Sequence, residues 1–175
     1  MARSLGPLTG AQVVARARGA IGKGTKYRLG AGGRNPSALE PGRKAVAWFL
    51  CDCSGFAAWC VGVDRYLPNA AIPTLPGGDW FETSALVRDA LSPFGFVVKV
   101  PWAEAHPGDL VVWPDDGALQ GHVGIVAEVG TTGPDTVVHC SSGNGKTGTG
   151  DAIAETDAGM FLRHGALVAR VAWVA

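Results

Sequence analysis

Apolar and polar positions along the chain follow two periods in turn, first helical and then alternating. Over "TGAQVVARARGAI" (Thr9 to Ile21), Val13, Val14, Ala17 and Ile21 share one face with arginines opposite, predicting a short amphipathic helix capped by Thr9. Residues 22–47 are rich in glycine and proline and predict a loop, with "TKYRLG" as a brief extended piece. Asp52 then stands as the N-cap of a helix from Cys53 to about Val63, with Phe56, Cys60 and Val63 as its buried stripe. Residues 67–78, "LPNAAIPTLPGG", predict a loop. A further helix is expected from about Asp79 or Thr83 to Leu91, stopped near "SPFG".

Beyond that point the pattern changes. "FGFVVKV", "DLVVW", "HVGIVAEV", "TVVHC" and "ALVARVAWV" are short, β-branched and separated by Gly, Pro, Asp and Asn. Helices followed by strands, without strict alternation, predict an α+β domain with an antiparallel sheet. The glycine-rich "SSGNGKTGTGD" is a loop between strands. No internal repeat and no second domain is visible, so residues 1–175 are expected to form one unit.

Composition narrows the function classes. A chain of 175 residues is long enough to bury a core without metal or disulfide support, and 47% hydrophobic with 17% charged residues is ordinary for a globular protein. Fifteen basic side chains balance fifteen acidic ones, so nothing in the net charge draws the chain to nucleic acid or an acidic surface. The N-terminal stretch lacks the apolar segment of a secretory signal, and no window reaches the length of a membrane span. A chain that is cytoplasmic as synthesised, with reduced thiols, is the expectation.

Three of the four cysteines fall within "CDCSGFAAWC" (Cys51 to Cys60). Their spacing, with the fourth 80 positions beyond Cys60, is poor arithmetic for zinc. Cys60 and Cys140 fit core positions. Cys53 differs, because it occupies the first turn of a helix, where unpaired N–H groups and the helix dipole favour a thiolate. Ser54 and Gly55 are small and leave room for a substrate, and first-turn amides point where an oxyanion would form. Such a nucleophile needs a base from another element. His106 lies in a turn, and His164 has no flanking feature to recommend it. His122 and His139 fall on neighbouring antiparallel strands, where one could take the proton of Cys53 and the other orient it.

"DCSGF", "HPGDLVVW", "GHVGIV" and "VVHCSSG", in that order and preceded by "GTKYRLGAGG", resemble the NlpC-type family of papain-like cysteine peptidases over about Gly24 to Gly143. The resemblance implies N-terminal helices packed on an antiparallel sheet of about five or six strands, and hydrolysis of amide bonds in peptidoglycan stem peptides without metal or cofactor. It makes Cys53 the nucleophile, His122 the general base and acid, and His139 the polar residue orienting His122. Tyr27 resembles the tyrosine lining the family's site. Asp52 and Ser54 fall where members cutting after a γ-linked D-glutamate hold the free amine of the leading alanine.

The resemblance implies an endopeptidase cutting the γ-D-glutamyl–diamino acid link, with an N-acetylmuramoyl–L-alanine amidase of phage-lysin or effector type as the alternative, since the long span between Cys53 and "PGDL" departs from the family pattern. Neither nucleic acid nor membrane is implied as partner, and delivery to the wall would fall to a phage or a secretion system. Two other classes are carried alongside. One is a non-catalytic wall-binding or tail module on the same scaffold. The other is a nucleotide-binding protein, from the near phosphate-loop match "CSSGNGKT" (Cys140 to Thr147), which lacks the first glycine.

Overall fold

The computed structural model describes residues 5–45, 48–67, 80–93 and 95–172. Helix α1 spans Gly10–Gly19. Thr9 caps it through a reciprocal pair: Gln12 N–H donates to the Thr9 hydroxyl at 3.2 Å, and Thr9 N–H donates to the Gln12 carboxamide at 2.8 Å. Val13, Val14 and Ala17 are buried, but the helix stops short of Ile21, which is 36% exposed. The arginines opposite are working groups: Arg16 donates to Trp59 O and Pro36 O, and Arg18 bridges Glu128 and Glu155.

Helix α2 covers Cys53–Cys60, with Val61 rather than Val63 at its end. All eight residues are buried, so the expected stripe of Phe56 and Cys60 is only part of its contact surface. A helix buried all round needs neighbours on every side. It has them in α1, in the central sheet and in the Gly32–Gly33 loop. Helix α3, Thr83–Ala90, is capped by Glu82, whose carboxylate accepts from Ser84 N–H and Ala85 N–H. Asp79, the alternative start, lies outside the described residues, as does most of the loop 67–78.

Among the described residues, nine strands make two sheets. In the small one, β1 (Lys26–Tyr27) runs parallel to β3 (Trp48–Cys51), which pairs antiparallel with β2 (Arg43–Ala45). The loop expected over 22–47 therefore holds two strands, and the apolar run before Asp52 supplies the third. The large sheet is antiparallel, in the order β4 (Val97–Val100), β9 (Leu167–Val171), β5 (Leu110–Trp113), β6 (His122–Val129), β7 (Pro134–Cys140), β8 (Ile153–Asp157). Five of the six are the predicted segments, with Phe94, Trp173 and Val174 lying outside the described residues. The sixth, β8, lies outside the predicted segments, and Glu155, Thr156 and Asp157 break its apolar pattern, as suits an edge.

Period-2 alternation divides the sheet's side chains between two cores. Leu110, Val112, Val123, Ile125 and Val138 join the helices in the main core. Val111, Trp113, Val126 and Val137 pack with Phe161 from helix α4 (Gly159–Arg163), which was not predicted. Strand β5, buried at all four positions, is covered on both faces.

Candidate active site

Asp52 organises the start of α2. Its carboxylate accepts the N–H of Gly55 at 2.8 Å, which caps the helix, and that of Gly30 at 2.6 Å, which fastens the preceding loop. It is also held by Arg65 through two parallel bonds, Nη1 to Oδ1 at 2.7 Å and Nη2 to Oδ2 at 2.9 Å. The two side chains are 0% and 3% exposed, so this is a fully desolvated, bidentate ion pair. Arg65 further donates to Ser54 Oγ at 2.8 Å and Ala31 O at 2.9 Å, and its guanidinium stands 4.5 Å from the centre of the Trp80 ring.

Gly55 is required by this packing. A Cβ there would strike Ala31 O and come within 2.9 Å of Arg65 Nη1, while Gly33, with φ +70, sits so close that its own Cβ would lie 2.6 Å from Gly55 O. The small residue after Ser54 therefore makes room for the loop and for Arg65, not for a substrate as the sequence suggested.

Cys53 is 4% exposed. Its sulfur accepts the backbone N–H groups of Val123, the residue next to His122 on β6, and of Ser54. Among the described residues no hydrogen bond joins this sulfur to either histidine. Burial pushes the thiol up to about 12, with the Asp52 charge adding to the rise and Val123 N–H, Arg65 and Ser54 N–H opposing it. The expected thiolate at the helix terminus is thus a neutral thiol in this structure. First-turn amides lower a thiol's pKa, but near-complete desolvation works against the ion more strongly.

The histidines meet as a chain. His122 Nε2 lies 2.8 Å from His139 Nδ1, and His139 Nε2 lies 3.0 Å from Thr156 Oγ1. The register explains it: Ile125 pairs with Val138, so one step along places Gly124 opposite His139 and His122 diagonal to it on the same face. A Cβ at Gly124 would come within 3.1 Å of both His139 Cβ and Phe161 Cζ, so that glycine opens the space the rings use. Phe161 stacks on His122 with centroids 5.5 Å apart, and Trp113 lies 5.2 Å away. Burial first, then the charges of His139 and His164, lowers His122 to about 3, and burial lowers His139 to about 4. Both rings are neutral near pH 7.

Thr156 ends this chain, with its hydroxyl 3.0 Å from His139 Nε2. In the tautomer where that hydroxyl accepts His139 Nε2–H, His139 Nδ1 accepts His122 Nε2–H and His122 Nδ1 is the basic nitrogen.

Beside Cys53 opens a recess of about 210 Å³ lined among others by Ser54, Arg65, Trp80, Glu82, Asp115 and Gln120. Through Leu29 and Gly30 it adjoins a larger groove of about 760 Å³ with Arg28, Arg34 and Glu40 on its walls. Tyr27, half-buried, pairs with Cys51 in register and bonds to Gln120; burial, then the neighbouring Cys53 and Asp52, raises its phenol. All six residues singled out from the sequence therefore gather around α2 and β6, in two clusters: Tyr27, Asp52, Cys53 and Ser54 in one, His122 and His139 in the other.

Sequence reasoning missed Arg65, Gln120, Thr156, Trp113 and Phe161. Only Gln120, two residues before His122, carried a signal of position. His164, passed over before, sits exposed with its ring 4.8 Å from Trp113, while His106 is the exposed turn residue expected. Cys51, Cys60 and Cys140 are wholly buried. Where a phosphate loop requires a helix, "CSSGNGKT" forms a 3-10 turn, Asn144–Lys146, pinned by Asn144 Nδ2 donating to His139 O.

Residues 42–144 match the family model described as CHAP domain, a peptidoglycan hydrolase domain related to the NlpC and papain-like group. The resemblance read from the sequence thus reached the right group, while the matching family is CHAP. No curated protein matches the chain.

Proposed function

The chain belongs to the CHAP domain family of cysteine- and histidine-dependent amidohydrolases acting on peptidoglycan, and from that premise we propose that Cys53 is its nucleophile and His122 its general base. The observation carrying this assignment is the buried His122–His139–Thr156 chain on the strand whose Val123 N–H, next to His122, meets the Cys53 sulfur. A pair that rests as thiol and imidazole reacts by general base catalysis. As Sγ bonds to the carbonyl carbon, its proton passes to His122 Nδ1 and the carbonyl electrons move to oxygen. The backbone N–H of Cys53 itself and the Gln120 side chain are the donors proposed for that oxyanion. Collapse of the intermediate breaks the C–N bond, His122 hands the proton to the departing amine, and a thioester remains. Water, deprotonated by the same imidazole, then releases the carboxylic acid and restores the thiol.

One observation bears on which bond is cut. Capture of a free amine by Asp52 and Ser54, as in the γ-D-glutamyl endopeptidases, calls for an available carboxylate, and here Arg65 engages both carboxylate oxygens and the Ser54 hydroxyl. That favours the N-acetylmuramoyl–L-alanine amide, whose recognition needs no free amine. Digestion of purified sacculi followed by mass analysis tests it. Free L-alanine amino termini with unsubstituted muramic acid are expected, and new diamino acid amino termini would return the assignment to the γ-D-glutamyl bond.

A further inference from the structure

Nothing in the motif around Cys53 announces Arg65, twelve residues further on in a loop, yet its guanidinium is bound into the start of α2. Four donated bonds of 2.7 to 2.9 Å run from its two terminal nitrogens to Asp52, Ser54 and Ala31. The pair it forms is shut away from water, and the partner carboxylate belongs to the residue preceding the nucleophile. An uncompensated carboxylate at that place would oppose any negative charge arriving on the neighbouring sulfur, and in a desolvated site such repulsion is weakly screened. Asp52 cannot simply be dispensed with, because it caps α2 and holds Gly30. The fold therefore needs a cap that does not carry net charge.

We propose that Arg65 is a positioning residue for the hydrolytic reaction: its guanidinium cancels the Asp52 charge beside Cys53, so that sulfur can accept negative charge as it attacks. This rests on Cys53 being the nucleophile and adds what makes it competent. Trp80 stacked on the guanidinium, and Gly55 leaving room for Nη1, hold the fork in its plane. The opposing signs of Asp52 and Arg65 on the Cys53 thiol agree with the assignment.

The test follows alkylation of Cys53 by iodoacetamide against pH, read by peptide mass mapping so that the three wholly buried cysteines do not contribute, in wild type, Arg65→Lys, Arg65→Gln and the Asp52→Asn/Arg65→Gln double variant. Arg65→Gln leaves a buried carboxylate unpaired, and alkylation at a given pH is expected to fall at least about tenfold, the equivalent of one unit in thiol pKa. The double variant removes both charges and keeps hydrogen-bonding groups, so its alkylation is expected within a few-fold of wild type, and Arg65→Lys is expected between the two. Should Arg65→Gln fail to fold, the double variant decides alone. A folded double variant whose Cys53 alkylates about tenfold more slowly than wild type overturns the proposal, as does a folded Arg65→Gln with unchanged alkylation. Hydrolysis by Cys53→Ala is scored separately: if it persists, the nucleophile assignment fails while the charge relation between Arg65 and Cys53 is still read by alkylation.

Discussion

Acidification should weaken this fold through the two site histidines, by an amount the structure specifies. His122 and His139 are held at about 3 and about 4 against an ordinary 6.5, because both are buried as neutral rings. A group whose pKa is lower in the folded state contributes stability that is complete above its unfolded value and is lost as pH falls toward the folded one. The window here therefore opens near pH 6.5 and runs down toward pH 4 and 3. Each such ring costs about 1.4 kcal/mol per pH unit inside that window. From 6.5 down to pH 5 this is about 2 kcal/mol per histidine, and about 4 kcal/mol for both as an upper bound, reached when neither folded ring takes up a proton above pH 5. Against a typical stability of about 5–15 kcal/mol the loss is large. Urea unfolding at pH 7 and pH 5 measures it, with His122→Gln/His139→Gln as comparison, because carboxylate titration is common to both proteins. The wild type should lose about 2–4 kcal/mol more than the double variant over that interval. Equal losses would refute buried neutral histidines as the cause.

Further outcomes follow from neighbouring contacts. Thr156→Val removes the acceptor for His139 Nε2–H while keeping shape; kcat should fall about tenfold or more with KM little changed, and Thr156→Ser should recover most of it, measured on wall-peptide substrates. Gly55→Ala drives a methyl into Ala31 O and Arg65, and should cost about 1–3 kcal/mol or more in urea unfolding. At the alkaline end the Cys53 thiol, raised to about 12, contributes stability present below its ordinary 9.0 and lost as pH rises through 12, so Cys53→Ala should show a shallower alkaline decline in unfolding midpoint.

Helices α1 to α3 and five strands of the large sheet were legible because each carries its own period and punctuation: Thr9, Asp52 and the run "HVGIVAEV" announce themselves locally. What escaped depends on partners distant in sequence. Strand β8 is polar at three of five positions and is a strand because β7 lies beside it. The insertion of β9 between β4 and β5 is a matter of topology that no local pattern encodes. The site followed the same division. Cys53, His122 and His139 stand out by residue type and place within motifs, whereas Arg65 and Thr156 act through contacts that exist only once the chain is folded. The ionisation state of Cys53 was misread for a related reason: a helix start is visible in sequence, and the burial that overrides its field is not.

In the proposed mechanism one sulfur, that of Cys53, performs the hydrolysis. Release of soluble fragments from purified sacculi by wild type and by Cys53→Ala, with circular dichroism verifying that the variant is folded, tests it most directly. Release is expected from wild type, and none above background from the folded variant. Release by folded Cys53→Ala at the wild-type rate would contradict it.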